Sequence, residues 1–176
     1  MNTGLIQVYC GDGKGKSTAA IGLGIRAIGS GLKVIMIQFL KQDTTGEVKM
    51  LKTLEPNFKV FHFEKQHGFV WTLSDEEKAE LKKEICMAMK FAKKVMDTGE
   101  CDVLILDEIL GAVETGLVTE AELLDLVENK NEHVELVLTG RKLPDEIKDI
   151  ADYVSKIEGV KHPYEKGIGA RKGIEY

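Results

Sequence analysis

The chain has 176 residues, of which 43% are apolar and 30% are charged, and its formal net charge is −5. This length and composition predict a single globular domain over residues 1–176 with a sizeable core. The negative charge disfavours a general nucleic-acid-binding protein, whose surface is usually basic. No apolar run approaches the roughly 20 residues of a membrane span. No signal peptide is evident either, so the cytoplasm is the expected compartment.

Short β-branched runs alternate with helical patterns along the chain. In chain order, the sequence predicts a strand at 5–9, a helix at 16–30, a strand at 33–39, a helix at 46–54, a strand at 59–63, a helix at 75–98, a strand at 103–107, a helix at 120–130, a strand at 134–139, a helix at 143–150 and a strand at 153–157. Several strands are apolar on both faces, which is typical of a parallel sheet covered by helices. The alternation indicates the same α/β class.

The longest helix carries the clearest signals for its two ends. Ser74-Asp-Glu-Glu77 fits a capping box at its start, and Gly99 is a plausible stop. Between them, apolar residues recur at helical spacing, at Leu81, Ile85, Ala88, Ala92 and Val95. The last fifteen residues, 162–176, carry three glycines and predict an irregular tail, for which a frayed terminus is one interpretation.

The three cysteines, Cys10, Cys86 and Cys101, include no CxxC pair. Their spacing disfavours both a zinc site and a disulfide framework. We therefore expect three reduced thiols that are buried in the core.

A glycine-rich loop, Cys10-Gly-Asp-Gly-Lys-Gly-Lys-Ser-Thr18, follows the first strand and precedes the first helix. This layout is typical of a loop that binds the phosphates of a nucleotide triphosphate, with backbone N–H groups and the helix N-terminus facing the oxygens. Lys16 would place an ammonium on the phosphates, and Ser17 would place a hydroxyl on Mg²⁺. The usual spacing wants a glycine where Cys10 stands, so an ordinary flexible turn is the alternative.

Charged side chains follow three further predicted strands. Asp107 and Glu108 end an apolar strand, where carboxylates could reach Mg²⁺ at the carboxyl edge of the sheet, although this pattern alone is common. Lys41 and Arg141 follow two other strands. Ligands of open α/β sheets bind beyond these strand ends. Either cation could instead be a solvated loop charge.

An aromatic pair, Phe69 and Trp71, lies in a predicted loop between a strand and the capping box. In an extended segment, residues two apart share a face. Core packing is one interpretation of the pair. A flat apolar wall for a large planar ligand is the other.

Together these segments resemble the ATP:corrinoid adenosyltransferases of the CobA/BtuR type, over nearly the whole chain. The resemblance is carried by residues 11–18, 34–41, 68–71, 104–108, 138–141 and the C-terminal residues from 161 to 176. The family usually has Thr where Cys10 stands, so the offset glycine is itself a family feature. The resemblance implies a P-loop NTPase-like (RecA-like) three-layer α/β fold with a mostly parallel sheet.

The resemblance also implies a reaction, in which the Co(I) of a corrinoid attacks the 5′ carbon of ATP and triphosphate leaves. The implied ATP-binding residues are Gly11, Asp12, Gly13, Lys14, Gly15, Lys16, Ser17, Thr18, Lys41 and Arg141. The implied ligands of Mg²⁺ or Mn²⁺ are Ser17, Asp107 and Glu108. Lys16 would offset charge on the leaving triphosphate. Phe69 and Trp71 would line the lower face of the corrinoid and exclude an axial base, which eases reduction to Co(I).

Family membership further implies cobalamin or cobyrinic acid a,c-diamide as substrate, an electron donor such as a flavodoxin or another flavoprotein, and a homodimer. The four histidines are expected to be surface or packing residues rather than cobalt ligands. Some family members cover the site with an N-terminal extension, and about four residues precede the first strand here. Coverage by the C-terminal tail and a more open site are the two alternatives.

Two other functions remain as alternative hypotheses. The first is a P-loop ATPase or kinase that breaks a bond at phosphorus. The second is a nucleotide- or corrinoid-binding protein without turnover.

Overall fold

The computed structural model describes residues 3–41, 45–65 and 70–175, apart from the side chain of Trp71. In this part of the chain six strands form one sheet: β1 (Ile6–Cys10), β2 (Val34–Gln38), β3 (Phe58–His62), β4 (Val103–Asp107), β5 (Glu135–Thr139) and β6 (Tyr153–Lys156). Their order is β3-β2-β4-β5-β1-β6, and every neighbouring pair is parallel. The fold is α/β with an open parallel sheet, as predicted, and is consistent with a P-loop NTPase-like architecture.

The helices connect these strands in the predicted order. They are α1 (Lys16–Gly29), α2 (Gly46–Lys52), α3 (Asp75–Thr98), α4 (Ile109–Glu114), α5 (Glu120–Glu128) and α6 (Asp145–Ile150). Every predicted strand and helix is present, with ends displaced by at most two residues. The sequence analysis missed α4, which follows β4 directly and begins after Glu108, a residue that is not a typical N-cap.

Helix α3 begins and ends where its sequence signals predict. The Ser74 hydroxyl accepts a hydrogen bond from the N–H of Glu77 at 3.2 Å, and the Glu77 carboxylate accepts one from the N–H of Ser74 at 2.7 Å. Gly99 adopts the left-handed conformation that ends the helix, with φ 62°. The predicted apolar stripe is buried throughout: Leu81, Ile85, Ala88, Ala92 and Val95.

Each face of the sheet has its own apolar layer. On one face Val103 and Ile105 of β4 pack in a cluster with Ala20 and Ala27 of α1. On the other face the alternate β4 residues pack with helices α3 to α6. Because successive strand residues point to opposite faces, a central strand that is apolar throughout serves both layers.

This alternation also places three polar residues side by side on the α1 face, at the carboxyl edge of the sheet. Gln38 of β2 lies opposite Asp107 of β4 in the strand register. Leu106 lies opposite Leu138 of β5, so the next position sets Asp107 beside Thr139. All three polar residues are buried, and this row forms the base of the site described below.

The cysteine prediction is partly wrong. All three cysteines are free, and Cys10 and Cys101 are buried, but Cys86 is exposed. Cys86 follows the buried Ile85 in α3, and one further residue rotates a helix position by about 100°, which turns the thiol towards solvent.

The tail is irregular, as predicted. From residue 158 to residue 175 every residue is exposed, with one short 3₁₀ turn at Pro163–Lys166. Among the histidines, His62 is half-buried at the end of β3, His133 and His162 are exposed, and His67 lies outside the described residues. No helix in the described ranges is both long enough and apolar enough to cross a bilayer.

Gly22 and Gly24 of α1 offer a matched test of how this helix packs on the sheet. A Cβ at Gly24 would lie 2.4 Å from Cε2 of the fully buried Phe58, whereas a Cβ at Gly22 would meet no described atom within 4 Å. Alanine is the better helix former, so Gly22→Ala should raise the free energy of unfolding by about 0.5–1 kcal/mol. Gly24→Ala should lower it by about 1–3 kcal/mol, because Phe58 must move. Urea unfolding measures both, and equal stabilisation by both would contradict this packing.

Candidate active site

A cleft of about 620 Å³ lies beside the glycine-rich loop, at the carboxyl edge of the sheet. It is lined by the start of α1, by residues that follow β2, β4 and β5, by the start of α2 and by the tail. The lining residues are Lys14, Gly15, Lys16, Ser17, Thr18, Ile21, Lys41, Gly46, Glu47, Glu108, Arg141, Gly173, Ile174 and Glu175. The fold therefore brings the loop together with Lys41, Glu108 and Arg141, which are far apart in sequence.

The first half of the loop is packed against the segments that follow β5 and β6. The N–H of Gly11 donates to the carbonyl of Arg141, and the N–H of Gly13 donates to the carbonyl of Ile157, both at 2.9 Å. A Cβ at Gly11, where φ is +108°, would lie 2.3 Å from the Ile157 oxygen. These two amides are engaged within the protein.

Asp12 takes part in the same packing. Its Oδ1 accepts a hydrogen bond from the N–H of Gly159 at 3.2 Å, and this bond holds the pKa of Asp12 below its ordinary value. Asp12 is absent from the cleft lining. This contact supports the conformation of the loop.

The second half of the loop opens towards the cleft at the start of α1. Gly15, with φ +119°, precedes the helix, and no side chain of the described residues caps its first turn. An uncapped N-terminus leaves backbone N–H groups and the positive end of the helix dipole available to an anion. Lys16 Nζ donates to the carbonyl of Gly13 at 2.8 Å. Burial lowers the pKa of Lys16, a change that the negative charge of Glu108 opposes.

The Asp107 carboxylate is wholly buried behind the cleft and is held from three sides. Its Oδ1 accepts from the hydroxyl of Thr139 at 2.7 Å. Its Oδ2 accepts from Nζ of Lys41 at 2.6 Å and from Nε2 of Gln38 at 3.1 Å. Burial raises the pKa of Asp107, but the Lys41 ammonium and the hydrogen bonds outweigh it, so that the pKa lies below its ordinary value.

Lys41 joins Asp107 to the glycine-rich loop. Its Nζ donates to Oγ of Ser17 at 2.7 Å as well as to Asp107. The residue before it, Leu40, adopts a left-handed conformation with φ 56°, and its N–H donates to both carboxylate oxygens of Glu64 at 2.9 Å. Lys41 is thus an ion-paired residue of the cleft wall and not a solvated loop charge.

Glu108 faces the cleft, in contrast to its neighbour Asp107. It adopts a left-handed conformation with φ 63° at the start of α4, and its N–H donates to Oγ1 of Thr139 at 2.8 Å. Gly111 leaves room for its carboxylate, because a Cβ there would lie 2.8 Å from Oε1 of Glu108. Burial, and then the charge of Asp107, raise the pKa of Glu108 above its ordinary value.

The oxygen donors at this edge fit a divalent cation. Ser17 and Asp107 already converge on one positive charge, the Lys41 ammonium, and Glu108 lies beside them. The described residues contain no group of three or more His, Cys, Asp and Glu side chains that could form a complete cage. Mg²⁺ is usually held by one or two carboxylates together with substrate phosphates, which matches this donor set.

The aromatic pair, Phe69 and Trp71, is only partly described by the structure. Phe69 lies outside the described residues, and the description of Trp71 is confined to its backbone, in a 3₁₀ turn at Val70–Thr72. The turn connects β3 to α3. Because β3 is parallel to its neighbour, this connection begins at the carboxyl edge of the sheet.

Several lining residues were not predicted. Gly46 and Glu47 reach the cleft because α2 begins there, and Gly173, Ile174 and Glu175 of the tail line one wall. The tail sequence carried part of the family resemblance. That resemblance indicated that the tail matters, but it did not predict where the tail lies.

Thr139 can be tested as the residue that orders Asp107 and Glu108. Thr139→Val removes the hydroxyl that bonds both residues in a buried position, and we expect the free energy of unfolding to fall by about 1–3 kcal/mol. Thr139→Ser keeps the hydroxyl and is the matched control, with a smaller loss. Urea unfolding measures both variants. A valine variant as stable as the serine variant would contradict the role of these hydrogen bonds.

Comparison with known proteins gives one consistent result. The family model described as ATP:corrinoid adenosyltransferase BtuR/CobO/CobP matches residues 2–176. The corrinoid adenosyltransferase CobA of Salmonella typhimurium is 33% identical over 175 residues, which cover 98% of this chain and 86% of the relative. Corrinoid adenosyltransferases of Escherichia coli and Pseudomonas aeruginosa are each 32% identical over 98% of this chain, and over 86% and 84% of their own lengths. The chain belongs to the ATP:corrinoid adenosyltransferase family.

Proposed function

We propose that this protein transfers the 5′-deoxyadenosyl group of ATP to the Co(I) of a corrinoid and releases triphosphate, in the biosynthesis or salvage of adenosylcobalamin. The observation that carries the proposal is a group of four cationic side chains in the cleft of a chain of this family. There Lys14, Lys16, Lys41 and Arg141 surround an uncapped helix N-terminus. Such a cleft suits a ligand with several negative charges.

The reaction is a displacement at carbon. Co(I) supplies the electron pair for a new cobalt–carbon bond at C5′, the C5′–O5′ bond breaks, and its electron pair leaves on the triphosphate. No proton is removed from a nucleophile, so no general base is needed. The protein must instead stabilise charge on the leaving group. The presence of Lys14, Lys16, Arg141 and the start of α1 in the cleft lining supports this role for them.

We propose that Ser17, Asp107 and Glu108 hold Mg²⁺ or Mn²⁺. When bound, the metal ion would neutralise part of the triphosphate charge. The Lys41 ammonium and the hydrogen bonds around Asp107 hold its pKa below the ordinary value, which favours the ionised carboxylate that a metal ion would need. The remaining loop residues, Gly11, Asp12, Gly13, Gly15 and Thr18, are proposed to bind ATP as well. Gly15 and Thr18 line the cleft, and the contacts of Gly11, Asp12 and Gly13 fix the loop conformation.

We propose that Phe69 and Trp71 line the lower face of the corrinoid and exclude its axial base. Loss of the axial ligand lowers the energy of the orbital that accepts the electron, so Co(II) is reduced more easily. The backbone position of Trp71 supports the proposal, since its segment leaves β3 at the same sheet edge as the cleft. The corrinoid would be cobalamin or cobyrinic acid a,c-diamide.

The wider setting is proposed on the family resemblance. It comprises a single domain over residues 1–176, a homodimer, and a flavodoxin or another flavoprotein as electron donor. We also propose that the protein acts in the cytoplasm, where free thiols such as those of its three cysteines stay reduced.

The identity of the products tests the function directly. Purified protein with ATP, Mg²⁺ and chemically reduced cobalamin should yield adenosylcobalamin and triphosphate in equal amounts, measured by absorbance and by ³¹P NMR. Formation of ADP without a cobalt–carbon bond would instead identify an ATPase or kinase. Binding of ATP or corrinoid without product would identify a binding protein.

Lys16→Ala supplies the matching variant for this assay. Removal of a principal cation of the leaving group should lower kcat/KM for ATP by at least about 100-fold, the scale seen when one stabilising donor is lost. Lys93→Ala, at an exposed ion pair with Asp125, is the control and should react like the wild type. An unchanged kcat/KM in Lys16→Ala would contradict the role of Lys16.

Trp71→Ala tests the exclusion of the axial base. The variant should lose more activity when the reaction starts from Co(II) with a flavoprotein reductant than when it starts from preformed Co(I). Its unfolding curve serves as the control for folding. Equal losses from the two starting states would count against this role for Trp71.

A further inference from the structure

One positive charge in the cleft lies where a metal ion is expected. Nζ of Lys41 is 2.7 Å from Oγ of Ser17 and 2.6 Å from Oδ2 of Asp107. Asp107 is fully buried, while the Lys41 side chain keeps 23% of its surface exposed and lines the cleft. Lys41 therefore lies between Asp107 and the cleft, and Asp107 becomes accessible only when the ammonium moves.

We propose that Lys41 is a positioning residue that occupies the cation position between Ser17 and Asp107 in the nucleotide-free protein, so that a divalent metal ion binds there only together with the triphosphate. This inference rests on the proposed roles of Ser17 and Asp107 as metal ligands. It adds that the metal ion and the triphosphate bind together, which the two metal-ligand roles alone do not require.

The ammonium and a metal ion compete for the same oxygen atoms. Mg²⁺ takes its oxygen ligands at about 2.0–2.1 Å. The Lys41 ammonium already approaches Ser17 and Asp107 at hydrogen-bonding distance. Two cations that share one pair of oxygens would repel each other, so entry of the metal ion requires displacement of the ammonium.

The buried carboxylate explains why a cation is present before substrate arrives. An ionised Asp107 without a partner would be costly in the interior, and Lys41 is the cation that the structure places beside it. The left-handed Leu40, tied by its N–H to Glu64, directs the following Lys41 side chain to this position. A non-glycine residue keeps such a conformation only where its surroundings enforce it.

The triphosphate gives the displaced ammonium a new partner. Lys41 lines the same cleft as Lys16 and Arg141, so a short movement transfers its charge from Asp107 to a phosphate oxygen. Metal ion and triphosphate then favour each other's binding, and this coupling must be reciprocal. The protein avoids holding a metal ion tightly in the absence of ATP.

Retention of Mn²⁺ in equilibrium dialysis without nucleotide or corrinoid tests the competition. The wild type should bind Mn²⁺ weakly. Lys41→Met should bind it on the order of tenfold more tightly or better, within the usual range of coupling between two sites. Lys93→Met is the matched control and should behave like the wild type, whereas Lys41→Met with Asp107→Asn should lose the gain. Lys41→Met binding no tighter than the wild type would overturn the inference.

Lys41→Gln guards against misfolding, because its amide can still donate a hydrogen bond to Asp107, and the same gain is expected. If neither variant folds, Mn²⁺ retention by the wild type, with and without tripolyphosphate, tests the inference. Added tripolyphosphate should raise the Mn²⁺ held by the protein about tenfold or more, and equal retention with and without it would overturn the inference.

The adenosyltransfer assay distinguishes failure of this inference from failure of the proposed function. A wild type that makes adenosylcobalamin while Lys41→Met gains no Mn²⁺ overturns this inference alone. A gain of Mn²⁺ in Lys41→Met without any adenosylcobalamin from the wild type overturns only the proposed function.

Discussion

The buried Asp107 carboxylate is the constraint on which the site depends. A charge with no exposed surface is tolerated only when its oxygens are fully engaged, and here Thr139, Lys41 and Gln38 supply the donors. The last residues of β2, β4 and β5 must therefore be in register with one another. The same bonds fix Glu108, whose N–H shares the Thr139 hydroxyl. The strand register therefore determines which side chains lie next to each other in this wall of the cleft.

The glycine-rich loop is held in place by a segment near the C-terminal end of the chain. The segment after β6 holds the glycine-rich loop through the carbonyl of Ile157 and the N–H of Gly159. Gly11 and Gly13 are needed there because a Cβ at either would overlap that segment. The glycines at the start of the loop serve close packing, and those nearer α1 leave the helix N-terminus open. One motif thus has a structural half and a ligand-facing half.

Much of the fold could be predicted because its signals are local. Runs such as 103–107 are apolar on both faces, and the capping box at Ser74 fixes where α3 begins. The loop and the strand-end charges also predicted which segments would meet. Helix α4 was missed because its cap residue, Glu108, is not a typical N-cap. The exposure of Cys86 was missed because the expectation rested on residue type alone, although Cys86 lies outside the predicted apolar stripe of α3. Glu47 reaches the cleft through α2 and carried no sequence signal.

The sequence by itself determined the class of fold, the family and the segments that contribute charge to the cleft, since these follow from the period of apolar residues and from short motifs. Only the tertiary structure decided how the charges are paired. Lys41 is engaged by Ser17 and Asp107, Asp12 supports the loop, and the tail from Gly173 to Glu175 forms a wall. Such pairings depend on distances of a few ångströms between residues far apart in sequence. The register of a parallel sheet sets those distances, and no local pattern encodes them.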